Sequence, residues 1–181
     1  SLQSFMGCWP INPFDFSKPS IEEVSTRAYQ PIARGWSEWL DTISGMRSDN
    51  LAPRHIGLWK WFDDLCQGKK PRARIEIWGR GGAKSSTAEL GTTYVGLRKT
   101  RRFVLYVSGT QAQADKHVQA IAALLEQVGM QRAVNRYNSS KGWTQRILRA
   151  ANGFNVVSLG LDAGVRGVKL DQYRPDLIIL D

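Results

Sequence analysis

Apolar residues recur at helical spacing most clearly in "GTQAQADKHVQAIAALLEQVG". Ala114, Val118, Ile121, Leu125 and Val128 fall on one face, Thr110 and Gln113 form a capping box, and Gly129 ends the run. "APRHIGLWKWFDDLCQG" predicts another helix, with Ile56, Trp59, Phe62 or Asp63, and Cys66 near helical spacing and Gly68 as its stop. A third is predicted from about Lys84 to Leu97, weakened by Gly91 and Gly96. "WTQRILRAANG" reads as a short helix ending at Gly153. Short apolar runs predict strands at "RIEIW", "RRFVLYVS", "FNVVSLGL" and "LIIL". Ahead of these, residues 1–52 are largely irregular. "CWPINPFDFSKPS" carries three prolines, a short helix follows Ser20 with Glu23 completing its cap, Pro31 breaks it, and residues 36–43 suit another turn or two.

The resulting alternation of strands and helices predicts an α/β fold with a largely parallel central sheet flanked by helices. One segment resists. Central parallel strands are apolar on both faces, whereas "RIEIW" alternates Ile75 and Ile77 with Arg74 and Glu76.

With 181 residues, 42% of them hydrophobic, the chain can bury a core. Cys8 and Cys66 are too few for a disulfide framework, which favours a reducing compartment. The apolar runs are too short to span a bilayer, and no signal peptide is evident. A start without Met and a stop on "PDLIILD" suggest a fragment. The net charge of +9 favours a polyanionic partner. The basic connectors "KKPRAR" and "RKTRR" could follow a DNA backbone without sequence preference, or be solvated surface.

The candidate chemistry lies in "IEIWGRGGAKSST". A phosphate cradle needs a sharp backbone turn with inward N–H groups, a helix start, a lysine for phosphate and a hydroxyl for Mg²⁺. Gly79, Gly81 and Gly82 supply the turn, and Lys84, Ser85 and Ser86 the side chains. The usual pattern has glycine where Trp78 and Ala83 stand. A glycine turn beside a solvated lysine would give a similar string. "RPDLIILD" adds a strand tipped by Asp181, placed to face a Mg²⁺ shell. Arg80, inside the loop, could stabilise charge on a γ-phosphate or be a surface arginine.

Together, "WGRGGAKSS", "FVLYVSGTQAQADKHV" and "GFNVVSLGLDAGVRGVKLDQYRPDLIILD" resemble the P-loop ATPase domain of tailed-phage terminase large subunits, the motors that package viral DNA. The family tolerates a deviant Walker A loop with an internal arginine, so the match rests on Arg80, Gly81, Gly82, Ala83, Lys84 and Ser85 together. "RPDLIILD" resembles its Walker B strand, and Val165–Gly167 a recurring element before it. The resemblance spans roughly residues 50–181. It implies a partial P-loop ATPase domain over 51–181, with 1–50 as an N-terminal extension.

The resemblance further implies that Lys84 and Ser85 bind the phosphates and Mg²⁺ of ATP, that Arg80 senses the γ-phosphate, and that Asp181 is the Walker B acid. It implies ATP hydrolysis driving double-stranded DNA into a procapsid, in a homo-oligomeric ring on the portal protein, with a small terminase subunit and a C-terminal nuclease domain, in the host bacterial cytoplasm. The catalytic carboxylate is expected directly after Asp181, so this stretch alone should hydrolyse ATP hardly at all. Another P-loop translocase or helicase, or a non-catalytic DNA-binding module with a vestigial loop, shares many of these features.

Other candidates are weaker. Ser108, Gly109 and Thr110 end a strand where α/β sheets place ligands, though Thr110 also reads as a helix cap. With Arg166 they could contact DNA or a neighbouring subunit. Arg54, His55 and Trp59 are candidates for the adenine wall, with core packing the alternative for Trp59 and Trp61. His55 and His117 look isolated, and no cluster suggests zinc.

Overall fold

The computed structural model describes residues 35–44, 48–134, 142–163 and 168–181. Within them lie helices α1 (Trp36–Ser44), α2 (Pro53–Cys66), α3 (Lys84–Arg98) and α4 (Gln111–Gln127). The strands are β1 (Phe103–Ser108), β2 (Ile147–Arg149), β3 (Asn155–Gly160) and β4 (Leu177–Leu180). The fold is α/β, and the sheet has four strands in the order β2-β3-β1-β4. β1 is central and parallel to both β3 and β4, whereas β2 is antiparallel to β3. The sheet is therefore mixed rather than wholly parallel. The cap and helix around Ser20 and Glu23 lie outside the described residues.

The helices follow from their patterns. In α4, Ala114, Val118, Ile121 and Leu125 are fully buried, and the Thr110 side chain accepts from Gln113 N. α4 packs across β1 and β3, and α3 packs between α2 and α4. Between Thr87 and Leu97 every residue of α3 except Glu89 is buried, so its glycines have a packing reason. A Cβ on Gly91 would come within 2.2 Å of the Phe62 ring, and one on Gly96 within 2.4 Å of the Phe154 ring. The helix propensity lost at these glycines is offset by close approach of aromatic rings on two sides. Trp39 and Leu40 of α1, at the end of the stretch read as an extension, also enter the core. Trp39 lies against Tyr94, with ring centroids 5.4 Å apart.

Two predicted elements differ. "WTQRILRAANG" contains β2, not a helix. Ala150 N donates to the Phe154 carbonyl at 2.8 Å, and Gly153 adopts φ 89°. Gly153 is thus the left-handed residue of a hairpin turn rather than a helix stop. "RIEIW" forms no strand. Ile75 and Ile77 are 86% and 92% exposed, because no strand pairs with this segment among the described residues. β4 is buried on one face: Leu177 and Ile179 face the core while Ile178 and Leu180 are mostly exposed. Among the described residues no helix is long and apolar enough to cross a membrane.

Candidate functional site

The carboxyl ends of β1, β3 and β4 meet the amino ends of α3 and α4, the position where open α/β sheets form ligand crevices. The glycine turn leads into α3. Gly82 N donates to the Gly79 carbonyl at 3.1 Å, and Gly81 has φ 81°. Ala83 also lies in the left-handed region, at φ 58° and ψ 28°. Only glycine adopts that conformation without cost; for alanine it costs about 1 kcal/mol. Alanine at position 83 therefore takes up, under strain, a backbone that suits glycine. No side chain caps the start of α3, so the first-turn N–H groups at Lys84, Ser85 and Ser86 have no side-chain acceptor there.

Lys84 Nζ donates to Asp181 Oδ1, across most of the sequence. Asp181 itself is held by the sheet. Its N–H donates to the Val107 carbonyl at 2.9 Å, and its carbonyl accepts from Ser108 Oγ at 3.0 Å. Burial alone would raise the Asp181 carboxyl. Hydrogen bonds from Lys84 and Ser85, with the charges of Lys84 and His117, outweigh burial and hold it below its ordinary range. Lys84, Ser85 and Asp181 are thus brought together, and Ser108, a candidate for DNA or a neighbouring subunit, joins them through the Asp181 carbonyl.

His117 is a member of this cluster that sequence reasoning missed. Its Nδ1 donates to Glu89 Oε1 at 2.6 Å, its Nε2 lies 3.7 Å from Asp181 Oδ2, and its ring stacks on Tyr106 at 5.0 Å. The contacts come from α3, β4 and β1, so no local spacing around His117 could have revealed them. Burial, then the Asp181 and Glu89 charges, push the Tyr106 phenol well above its ordinary range, and its hydroxyl is buried without a hydrogen-bond partner.

The segment ahead of the loop holds the turn from outside. His55 Nε2 donates to the Gly82 carbonyl at 2.9 Å, and the His55 ring meets Trp78 edge-on at 4.6 Å. The Arg54 guanidinium lies 5.7 Å from the Trp78 ring centre, and Trp78 Nε1 donates to Glu76 Oε2 at 2.7 Å. Burial would raise the Glu76 carboxyl, but hydrogen bonds from Arg74 and Trp78 and the nearby charges hold it low. Arg54 and His55 therefore border the loop. Trp59 does not: it is 1% exposed, stacked on Trp36 in the core, and presents no face to a ligand.

Arg80 is exposed on the turn and makes no ion pair among the described residues. Thr110 is occupied as the cap of α4. Arg166, with the rest of Val165–Gly167, lies outside the described residues. Among the described residues no group of three or more His, Cys, Asp or Glu side chains is arranged to hold a metal ion. No known protein family, characterised protein or solved structure matches the chain.

Proposed function

We propose that the chain is a nucleotide-binding part of an ATP-driven, double-stranded-DNA-packaging motor of the terminase large-subunit type, a P-loop ATPase. The observation that carries this reading is the meeting of Lys84, at the start of α3, with Asp181, at the tip of β4. A loop lysine, a loop hydroxyl and a strand carboxylate converge beside a helix start that no side chain caps. The donors suit the group. Ser85 and Asp181 offer hard oxygen ligands for Mg²⁺, and Lys84 offers a mobile cation for phosphate. Bound Mg²⁺ would neutralise charge on the phosphates.

The chain's own part is to bind and orient. The first-turn N–H groups of α3 would donate to phosphate oxygens, and Arg80, on the exposed turn, is free to swing toward a γ-phosphate. Lys84 and Asp181 neutralise each other, and they would separate as one turns to phosphate and the other to Mg²⁺. A fluorescent ATP analogue titrated with Mg²⁺ tests the reading: wild type binds, Lys84→Ala does not. The missing strand before the loop favours a second reading, a non-catalytic DNA-binding module with a vestigial loop. Equal affinities of wild type and Lys84→Ala would select it.

A further inference from the structure

The loop departs from the usual pattern at Trp78 and at Ala83, and His55, on the first turn of α2, meets it at both places. The His55 and Trp78 ring centroids are 4.6 Å apart. His55 Nε2 donates at 2.9 Å to the Gly82 carbonyl, which belongs to the peptide joining Gly82 to Ala83. Nε2 carries the proton, because a carbonyl oxygen only accepts. Nδ1 is buried without a hydrogen-bond partner, so the polar contact of this ring goes to the loop.

The peptides on either side of Gly82–Ala83 are fixed by the backbone. Gly82 N donates to the Gly79 carbonyl at 3.1 Å, which holds the peptide before it. The Ala83 carbonyl accepts from Thr87 N at 2.9 Å and from Thr87 Oγ1 at 2.8 Å, which holds the peptide after it. Between them, Ala83 N has no backbone acceptor among the described residues, and the middle peptide is tied through its carbonyl. Rotating that peptide would carry Ala83 from φ 58°, where alanine is strained, into ordinary backbone space. Gly82 tolerates the accompanying change in its ψ. Alanine at position 83 therefore favours the rotated peptide, and the bond from His55 opposes it. Because the C=O and N–H of a trans peptide point opposite ways, the same bond aims Ala83 N–H away from His55, free to donate.

We propose that His55 is a positioning residue for the loop: it holds the Gly82–Ala83 peptide in the orientation that presents Ala83 N–H to a phosphate oxygen, and so lets alanine stand where glycine is usual. Trp78 braces the ring. Its Nε1 donates to Glu76 Oε2 at 2.7 Å, Arg74 binds the same carboxylate, and Arg74 Nη1 donates to the Gly57 carbonyl of α2 at 2.9 Å. The proposal rests on the reading of the loop as a phosphate site. It differs from a place for His55 in an adenine wall, since the ring then acts on the backbone and not on a base.

The probe is inorganic tripolyphosphate with Mg²⁺, displacing a fluorescent ATP analogue from the whole chain. His55→Phe keeps a ring against Trp78 but cannot donate, and should weaken tripolyphosphate about tenfold. His55→Gln, whose amide nitrogen can reach the same carbonyl, should stay within about threefold of wild type. Ala83→Gly added to His55→Phe should recover most of the loss, because glycine gains nothing from the rotated peptide. A further readout needs no ligand. In NMR the cross-relaxation between the amide proton and Hα of Ala83, strong at positive φ, should fall in His55→Phe and persist in His55→Gln. Equal losses from His55→Phe with and without Ala83→Gly would overturn the proposal. So would a loss confined to the ATP analogue, which assigns His55 to the base, or a positive φ at Ala83 retained in His55→Phe. If wild type and Lys84→Ala bind tripolyphosphate alike, the phosphate-site reading fails instead, and the Ala83 cross-relaxation still decides whether His55 holds the peptide.

Discussion

At the carboxyl ends of the strands, Lys84 lies on Asp181 and His117 on Glu89, whereas at the amino ends four cations line a cleft with one acid. α3 joins these ends, with Lys84 as its first residue and Lys99 just past its last. The first end is neutralised within itself, so a ligand of the kind proposed would have to separate an ion pair. The second is lined, among the described residues, by more cations than acids. Charge counted over the whole chain cannot distinguish the two, because the difference lies in which acids fold back onto which cations.

The most disruptive way to break the comparison is to displace the helix that joins the two ends. Gly91→Ala should push α3 from Phe62 and destabilise the fold by about 2–3 kcal/mol. Thermal unfolding should show a fall of roughly 5–10 °C, and nucleotide binding should weaken with it.

Next in size is removal of the ion pair at one end alone. Lys84→Met should cost about 1–2 kcal/mol near neutral pH, since it strands a largely buried carboxylate. The Asp181 carboxyl is held below its ordinary value of 3.8 in the folded chain. Its contribution is therefore fully present above pH ~4 and is lost as pH falls through the folded value. Denaturant unfolding should show wild type and Lys84→Met differing near neutral pH and converging in strong acid. A constant difference down to strong acid would show that the lysine acts through packing instead.

A smaller effect sharpens the geometry of the loop. Ala83→Gly should stabilise the chain by about 0.5–1 kcal/mol by releasing the left-handed strain, offset in part by backbone entropy. Chemical denaturation reads the shift, and a destabilised variant would mean that alanine's methyl group packs usefully there. The smallest expected change belongs to the other end. Lys99→Asn with Arg102→Gln replaces exposed side chains and should alter stability by less than about 0.5 kcal/mol. A large stability loss there would mean that the basic cluster serves the fold.

Much of this architecture was legible wherever the pattern was local. α4 could be read from its periodicity and cap, and β4 from its four apolar residues, since one element supplied all the information. The pairing of Lys84 with Asp181 was also legible, because a loop lysine and a strand acid carry a recognisable order. His117 was not, since its partners come from three distant elements. "WTQRILRAANG" misled because Gly153 can end a helix or turn a hairpin, and only the pairing of β2 with β3 chooses. Trp59 could be read as adenine wall or as core, and the arrival of Trp36 from α1 decided for core. "RIEIW" showed its ambivalence in the charged residues between its isoleucines.

That ambivalence has a practical side. Among the described residues no strand pairs with the outer edge of β4, Ile178 and Leu180 are mostly exposed on one face, and Ile75 and Ile77 are exposed ahead of the loop. An uncapped edge of this kind is a template on which another molecule's strand can crystallise into register. Arg74 and Glu76, set between and beside the two isoleucines, act as gatekeepers against such growth. In the test tube the chain's shelf life should thus be governed by dilution and by these two charges, more than by the temperature at which its core melts.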